Sequence, residues 1–170
     1  MRSANVVVVI ASAAALACAT GWFREHQELR DARHARIADT LDPINELLKE
    51  NTAITHELQS AEYAEPGSGF VAAYLLKIRR DGVPKHSDMK QRIDRLANNN
   101  TAILALLAKY STHARTPAFR AAAERFRDYA ISLRALWQAV PEIFMAGGNL
   151  PAEAPTFPAD FPQAIASESL

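Results

Sequence analysis

The chain has 170 residues, which is enough for one domain with short additional segments. Its 19 basic and 19 acidic residues give a formal net charge of zero, so no electrostatic footprint for nucleic acid is present and no nucleic-acid partner is expected. The single cysteine, Cys18, leaves the rest of the chain without a disulfide or a thiolate metal site.

The N-terminal segment is apolar. Val6–Phe23 contains no charged residue, and as a helix it would span roughly 27 Å, just enough for a bilayer core. Trp22 lies where an interfacial aromatic residue is expected, and Arg24 ends the segment. The alternative is a cleaved signal peptide, because Ala17-Cys18-Ala19 matches a small-residue cleavage site. Residues 1–23 are therefore predicted to be a transmembrane anchor or a signal peptide.

Both interpretations place the rest of the chain outside the cytoplasm if the N-terminus stays inside. We expect a single-pass inner-membrane protein attached through residues 6–23, with a periplasmic domain. Signal cleavage would instead give a secreted or periplasmic protein. Residues 24–41 are predicted to form a charged helical stalk, and their arginines depart from the positive-inside tendency, so the orientation stays open.

Residues 42–148 contain the signals of several helices. Asp42-Pro43 and Thr116-Pro117 each place a capping residue before a proline, as at a helix start. The first of these helices is predicted to run to about Tyr63 and the last to end at Pro141 or Gly147-Gly148. Between them, a short helix is expected over Phe70–Arg80 and a long one from about Ser87 to Tyr110.

Apolar side chains recur at alternating intervals of four and three along these helices, which predicts inward-facing stripes and excludes strands. Short loops between such stripes favour an all-α, antiparallel four-helix bundle with coiled-coil-like packing. The stripes comprise Ile37, Leu41, Ile44, Leu48 and Asn51; Met89, Ile93, Leu96, Asn100, Ile103, Leu107 and Tyr110; and Phe119, Ala123, Phe126, Ala130, Leu133, Trp137, Val140 and Phe144.

The tetrapeptide Asn-Thr-Ala-Ile occurs twice, beginning at Asn51 and at Asn100. The match extends in both directions without a gap, and at the same offset Phe70, for example, is aligned with Phe119. This match indicates a duplicated helical hairpin. Chance similarity between alanine-rich helices is the alternative.

Both asparagines fall on the inward stripe, where an amide must be hydrogen-bonded. Asn51 and Asn100 are therefore expected to bond each other and fix the helix register. A polar ligand held between them, or an outward position, is the alternative.

The segment 149–170 differs from the rest in being rich in proline and acidic residues, with no basic residue. Such a segment is expected to be disordered, because it has little apolar surface to bury. Phe157 and Phe161, which lie between prolines, would suit docking into a groove of a protein partner.

No glycine-rich nucleotide loop or nucleophile elbow occurs, so the chain is not expected to be an enzyme, and no catalytic residue, metal ligand or cofactor is assigned. The histidines are scattered. His34 and Met89, with the two asparagines, leave a cofactor- or metal-binding bundle as an alternative.

The helix that ends at Pro141 reads FRDYAISLRALWQAVP. It resembles the closing helix of the double all-helical ligand-binding domains that precede the signalling parts of bacterial sensor kinases. Phe126, Arg127, the pair Leu133-Arg134 and Pro141 occupy matching places, and Arg79 matches that family's turn arginine. Ala135-Leu136 departs from the family's Asn-Ser pair.

The resemblance implies an extracytoplasmic sensing or interaction module. We therefore expect a membrane-anchored helical bundle that binds a ligand or a protein partner without chemistry. An accessory subunit of a membrane complex is the alternative. The sequence leaves the oligomeric state open.

Overall fold

The structure is a computed structural model that describes residues 22–58, 88–148 and 155–170. The predicted membrane segment lies almost entirely outside these residues, as does the predicted helix over Phe70–Arg80. Within the described part of the chain, no helix is both long and apolar enough to cross a bilayer.

Every regular element in the described residues is helical. They are α1 (22–36), a π-helical turn (Ile37–Leu41), α2 (Asp42–Leu58), α3 (Asp88–Tyr110), a short 3-10 turn (Ser111–His113), α4 (Pro117–Met145) and α5 (Phe161–Ser169). The predicted fold class, all-α, is confirmed for these residues.

Two compact units divide the chain between Asp39 and Thr40. In the first unit, α1 is exposed along most of its length and carries the ion pair of Arg24 with Glu28. In the second unit, α2 contacts α3, α3 contacts α4, α4 contacts α5, and α5 returns to contact α2. The second unit is thus a helical bundle with one core.

Most members of the predicted stripes lie in that core, together with residues that the stripes did not include. Its apolar members are Leu41, Ile44, Leu48, Ile54, Leu58, Ile93, Leu96, Ile103, Leu107, Tyr110, Ala114, Phe119, Ala122, Phe126, Ala130, Leu133, Leu136, Val140, Phe161 and Ile165. Ala123 and Trp137, which belong to the predicted stripe of α4, are only partly buried.

The helix ends follow the sequence signals in part. At Thr116 the hydroxyl accepts a hydrogen bond from Phe119 N (3.2 Å), as a capping residue should. The α-helix α2 begins at Asp42, as the sequence predicts, although the preceding residues Ile37–Leu41 already form a π-helical turn. Pro141, in contrast, does not end α4, which continues to Met145.

Two glycines end α4. Gly147 has a φ of +69°, a conformation that glycine adopts without strain, and Gly148 N donates to Ile143 O (2.9 Å). This six-to-one bond is the Schellman arrangement, which satisfies a carbonyl of the last turn. The predicted stop at Gly147-Gly148 is therefore confirmed.

The described part of the C-terminal segment, residues 155–170, differs from the disordered tail that the sequence predicts. Residues 161–169 form α5, whose Phe161, Ile165 and Glu168 are buried. Their spacing of four and three places them on one helical face, and that face is apolar enough to pack on the bundle. The prediction of disorder is therefore wrong for these residues.

Candidate functional site

Three asparagine amides form a hydrogen-bonded layer in the core. Asn51 Nδ2 donates to Asn100 Oδ1 (2.9 Å), and Asn99 Nδ2 donates to Asn51 Oδ1 (3.0 Å). All three residues are at most 9% exposed. The predicted bond between Asn51 and Asn100 is thus present and joins α2 to α3. The third amide of the layer, that of Asn99, was not predicted from the sequence.

The sequence did contain a signal for Asn99. It directly precedes Asn100, and the wide angle of the apolar stripe can bring two consecutive positions of α3 towards α2. Because Asn51 uses both its oxygen and its nitrogen, its single side chain satisfies one group on each neighbour.

The threonines of the two repeats make the same local bond. Thr52 Oγ1 donates to Leu48 O (2.9 Å), and Thr101 Oγ1 donates to Ala97 O (2.9 Å). Each hydroxyl is therefore satisfied within its own helix, and neither is needed by the amide layer.

A small cleft between α3 and α4 reaches this layer. Its volume is about 70 Å³, and Asn100 forms part of its wall. The other lining residues are mainly apolar, with one cation: Ala97, Thr101, Leu104, Ala130, Ile131, Leu133, Arg134 and Trp137. The small cleft therefore combines a buried amide with an accessible guanidinium.

A larger cleft of about 520 Å³ lies on the same two helices and shares Leu104 and Ile131 with the small one. Its floor is apolar and includes Leu107, Phe119 and Ala123, while Arg120, Glu124 and Arg127 provide charge. Ile131 is 55% exposed, so the α3–α4 face presents an apolar side chain to solvent where the clefts adjoin.

A second buried polar cluster surrounds Glu168, which is only 2% exposed. Its Oε1 accepts from Arg115 N (2.6 Å) and Tyr110 Oη (3.4 Å), and its Oε2 accepts from Thr116 N (3.0 Å) and Thr116 Oγ1 (2.7 Å). Burial by itself would raise the pKa of Glu168, but these hydrogen bonds outweigh it and hold the pKa below its usual value. Glu168 is therefore an ionised clamp between α5 and the α3–α4 turn.

The proposed partner-binding phenylalanines lie in an aromatic cluster of the chain itself. Phe161 is fully buried and stacks on Phe126 at a centroid distance of 4.4 Å. Phe157 is 38% exposed and meets Phe126 and Tyr129 edge-on. Burial raises the pKa of Tyr129 to about 12. A partner could engage Phe161 only by displacing α5, whereas part of Phe157 is accessible.

The described residues contain no group of three or more side chains able to hold a metal ion. His34 is exposed on α1 of the first unit. The side chain of Met89 lies outside the described part of the structure, so the alternative of a cofactor- or metal-binding bundle on His34 and Met89 stays a prediction.

Comparison with known proteins found no similar protein: no protein family model matches the chain, and no curated protein or solved structure matches it.

Proposed function

We propose that this protein is a non-enzymatic, ligand-sensing helical bundle that is membrane-anchored and extracytoplasmic. The α3–α4 face is its binding surface. The single observation that carries the proposal is the pair of adjoining clefts on that face, one of which reaches a buried amide layer.

The larger cleft has the size and lining of a ligand site. Its volume of about 520 Å³ falls within the range of roughly 300–1,000 Å³ that is typical of such sites. An apolar floor with a few charges at the rim would suit a small amphipathic molecule. Binding there would draw α3 and α4 together, and a small helix shift towards the predicted anchor would be the output, as the resemblance to sensor domains implies.

The duplicated hairpin belongs to the same proposal. Two observations support it: the matched threonine bonds at Thr52 and Thr101, and the Asn51–Asn100 contact between equivalent positions. An antiparallel four-helix arrangement built from two hairpins would bring these equivalent positions together at the centre.

A site-resolved titration tests the binding surface. The full chain, in lipid nanodiscs, is titrated with anilinonaphthalene sulfonate, an amphipathic anion, while methyl resonances of Ile131 and Leu104 are followed by NMR. Saturable shifts of both methyl groups are expected. Replacing Ala123, which lines the larger cleft, by tryptophan should abolish them.

Ala135 gives the matched control, since it is exposed on the same helix and lines neither cleft. The variant Ala135→Trp should bind the dye like the parent. Equal loss of binding in both variants, or no methyl shift in the parent, would contradict the proposal.

The membrane part of the proposal has its own measurement. Mass spectrometry of the mature N-terminus should find the segment 1–23 intact if it is an anchor, and removed if it is a signal peptide. Protease protection in intact spheroplasts should then be absent for the bundle; a fully protected bundle would contradict an extracytoplasmic site.

A further inference from the structure

The amide layer ends on a donor that the layer itself does not use. Its bonds run in one direction, from Asn99 to Asn51 and from Asn51 to Asn100, so Asn100 contributes its oxygen only. The remaining group, Asn100 Nδ2, belongs to a side chain that is 5% exposed and lines the small cleft. This nitrogen makes no hydrogen bond to the described residues and is not sealed from solvent, so it is available to donate to an acceptor placed in the small cleft.

The positively charged side chain of Arg134 lines the same cleft. Arg134 lies on α4 and is exposed, and among the described residues no carboxylate forms an ion pair with it. No acidic residue lines the small cleft. Among the polar groups that line this cleft, the Arg134 guanidinium and the Asn100 amide nitrogen are hydrogen-bond donors, one charged and one neutral, and together they favour an anion with two acceptor oxygens.

The rest of the wall is apolar and limits the size of a ligand. Leu104, Ala130 and Leu133 contribute aliphatic surface, and Trp137 contributes an aromatic ring. A volume of about 70 Å³ holds roughly five to seven water-sized groups. A second charge would have to lie against this apolar wall at a high desolvation cost.

We propose that the small cleft binds a monocarboxylate of about three to five carbons, with its carboxylate on Arg134 and Asn100 and its alkyl chain against Leu104, Leu133 and Trp137. This assignment rests on the proposed function, because it names the ligand class of that binding surface.

Sodium propionate is the probe. The full chain in nanodiscs carries Trp22→Phe, so that the remaining tryptophan, Trp137, reports on the small cleft alone. Ionic strength is held constant with sodium chloride, since an exposed guanidinium is screened by salt. A saturable change in Trp137 emission is expected, with a dissociation constant of about 1 mM or lower.

Two comparisons establish the role of the charge. Propionamide has the shape of propionate without its charge and should bind at least tenfold more weakly. The variant Arg134→Gln should weaken propionate binding by roughly 10- to 100-fold, the range for a hydrogen bond to a charged group. Arg134→Lys should restore part of the affinity.

Lys109 is the control, because it is an exposed cation on α3 that lines neither cleft. The variant Lys109→Gln removes one positive charge and should bind propionate like the parent. NMR of the side-chain amides adds an internal comparison: the Asn100 amide should shift on saturation more than that of Asn99, which donates to Asn51.

Equal binding of propionate and propionamide, equal effects of Arg134→Gln and Lys109→Gln, or an unmoved Asn100 amide would each overturn the assignment. The outcome is separable from the proposed function. If the dye binds the larger cleft but propionate fails, only the ligand class is wrong; if neither binds, the sensing function fails as well.

Discussion

The bundle contains two buried polar clusters, and their hydrogen-bonding groups obtain partners in different ways. The asparagine layer joins the middles of α2 and α3 through neutral amides, whereas the Glu168 clamp joins α5 to a turn through a carboxylate. An amide carries both donors and an acceptor, so a few amides can satisfy most of one another's groups. A carboxylate accepts only, and it must collect its donors from other parts of the chain.

The two clusters differ because the hydrogen-bond donors available in a helix interior differ from those at a helix start. A helix interior has no spare backbone N–H groups, so a polar layer there must be made of side chains. The first residues around a helix start do have free N–H groups, and Arg115 and Thr116 offer two of them to Glu168. The carboxylate also lies near the positive end of the α4 dipole, which favours its charge.

Removing the clamp should have the largest effect on stability. The substitution Glu168→Ala leaves the part-buried N–H groups of Arg115 and Thr116 without acceptors and detaches α5, and we expect the free energy of unfolding to fall by about 3 kcal/mol. Denaturant unfolding followed by circular dichroism measures this.

Glu168→Gln keeps the shape and one acceptor oxygen, and should cost about half as much. Ser167→Ala, on the exposed side of α5, is the matched control and should leave stability unchanged. A loss below about 0.5 kcal/mol in Glu168→Ala would show that the clamp does not hold α5.

Breaking the asparagine layer should have a smaller effect. The substitution Asn51→Ala leaves Asn99 Nδ2 and Asn100 Oδ1 without their partners, and we expect a loss of about 2 kcal/mol. The same denaturant experiment checks it.

Replacing all three asparagines by leucine removes every member of the layer and should recover most of that loss, because no amide is then left unpaired. Changing Asn51 and Asn100 alone would leave Asn99 without its acceptor. If the triple variant is less stable than Asn51→Ala, the layer contributes more than register.

The smallest effect is a dependence on pH. The pKa of Glu168 is lowered in the folded protein, so its contribution is complete above the unfolded-state pKa of about 4.3 and is lost as the pH falls through the folded value. The midpoint of thermal unfolding should therefore fall below about pH 4.5, and it should fall more steeply in the parent than in Glu168→Gln. Parallel curves would contradict this assignment; Asp160, whose pKa the Arg125 hydrogen bond lowers, contributes equally to both proteins.

The sequence predicts the asparagine layer because two independent patterns meet there. The repeat relates Asn51 to Asn100, and the apolar stripe places both inside. Glu168 escapes such reasoning because its donors are backbone N–H groups of a turn, which leave no mark in the side-chain pattern. Its surroundings, Ser167 and Ser169, favour a solvated interpretation.

The incorrect prediction of disorder for residues 161–169 has a similar cause, since the contacts that order them leave little mark in the local sequence. Prolines and acidic residues dominate its composition, while the helical face of Phe161, Ile165 and Glu168 has only three members. A face this short is stabilised by tertiary packing on Phe126 and by the clamp, and both depend on residues far away in the chain.

The clamp also turns two backbone amides into reporters. Amides next to a helix start ordinarily exchange their hydrogens with solvent quickly, because nothing in the helix accepts from them. The N–H groups of Arg115 and Thr116 are instead bonded to an element more than fifty residues away in the chain. Their exchange rates therefore measure how often α5 detaches while α3 and α4 stay folded, an opening that global unfolding experiments average away.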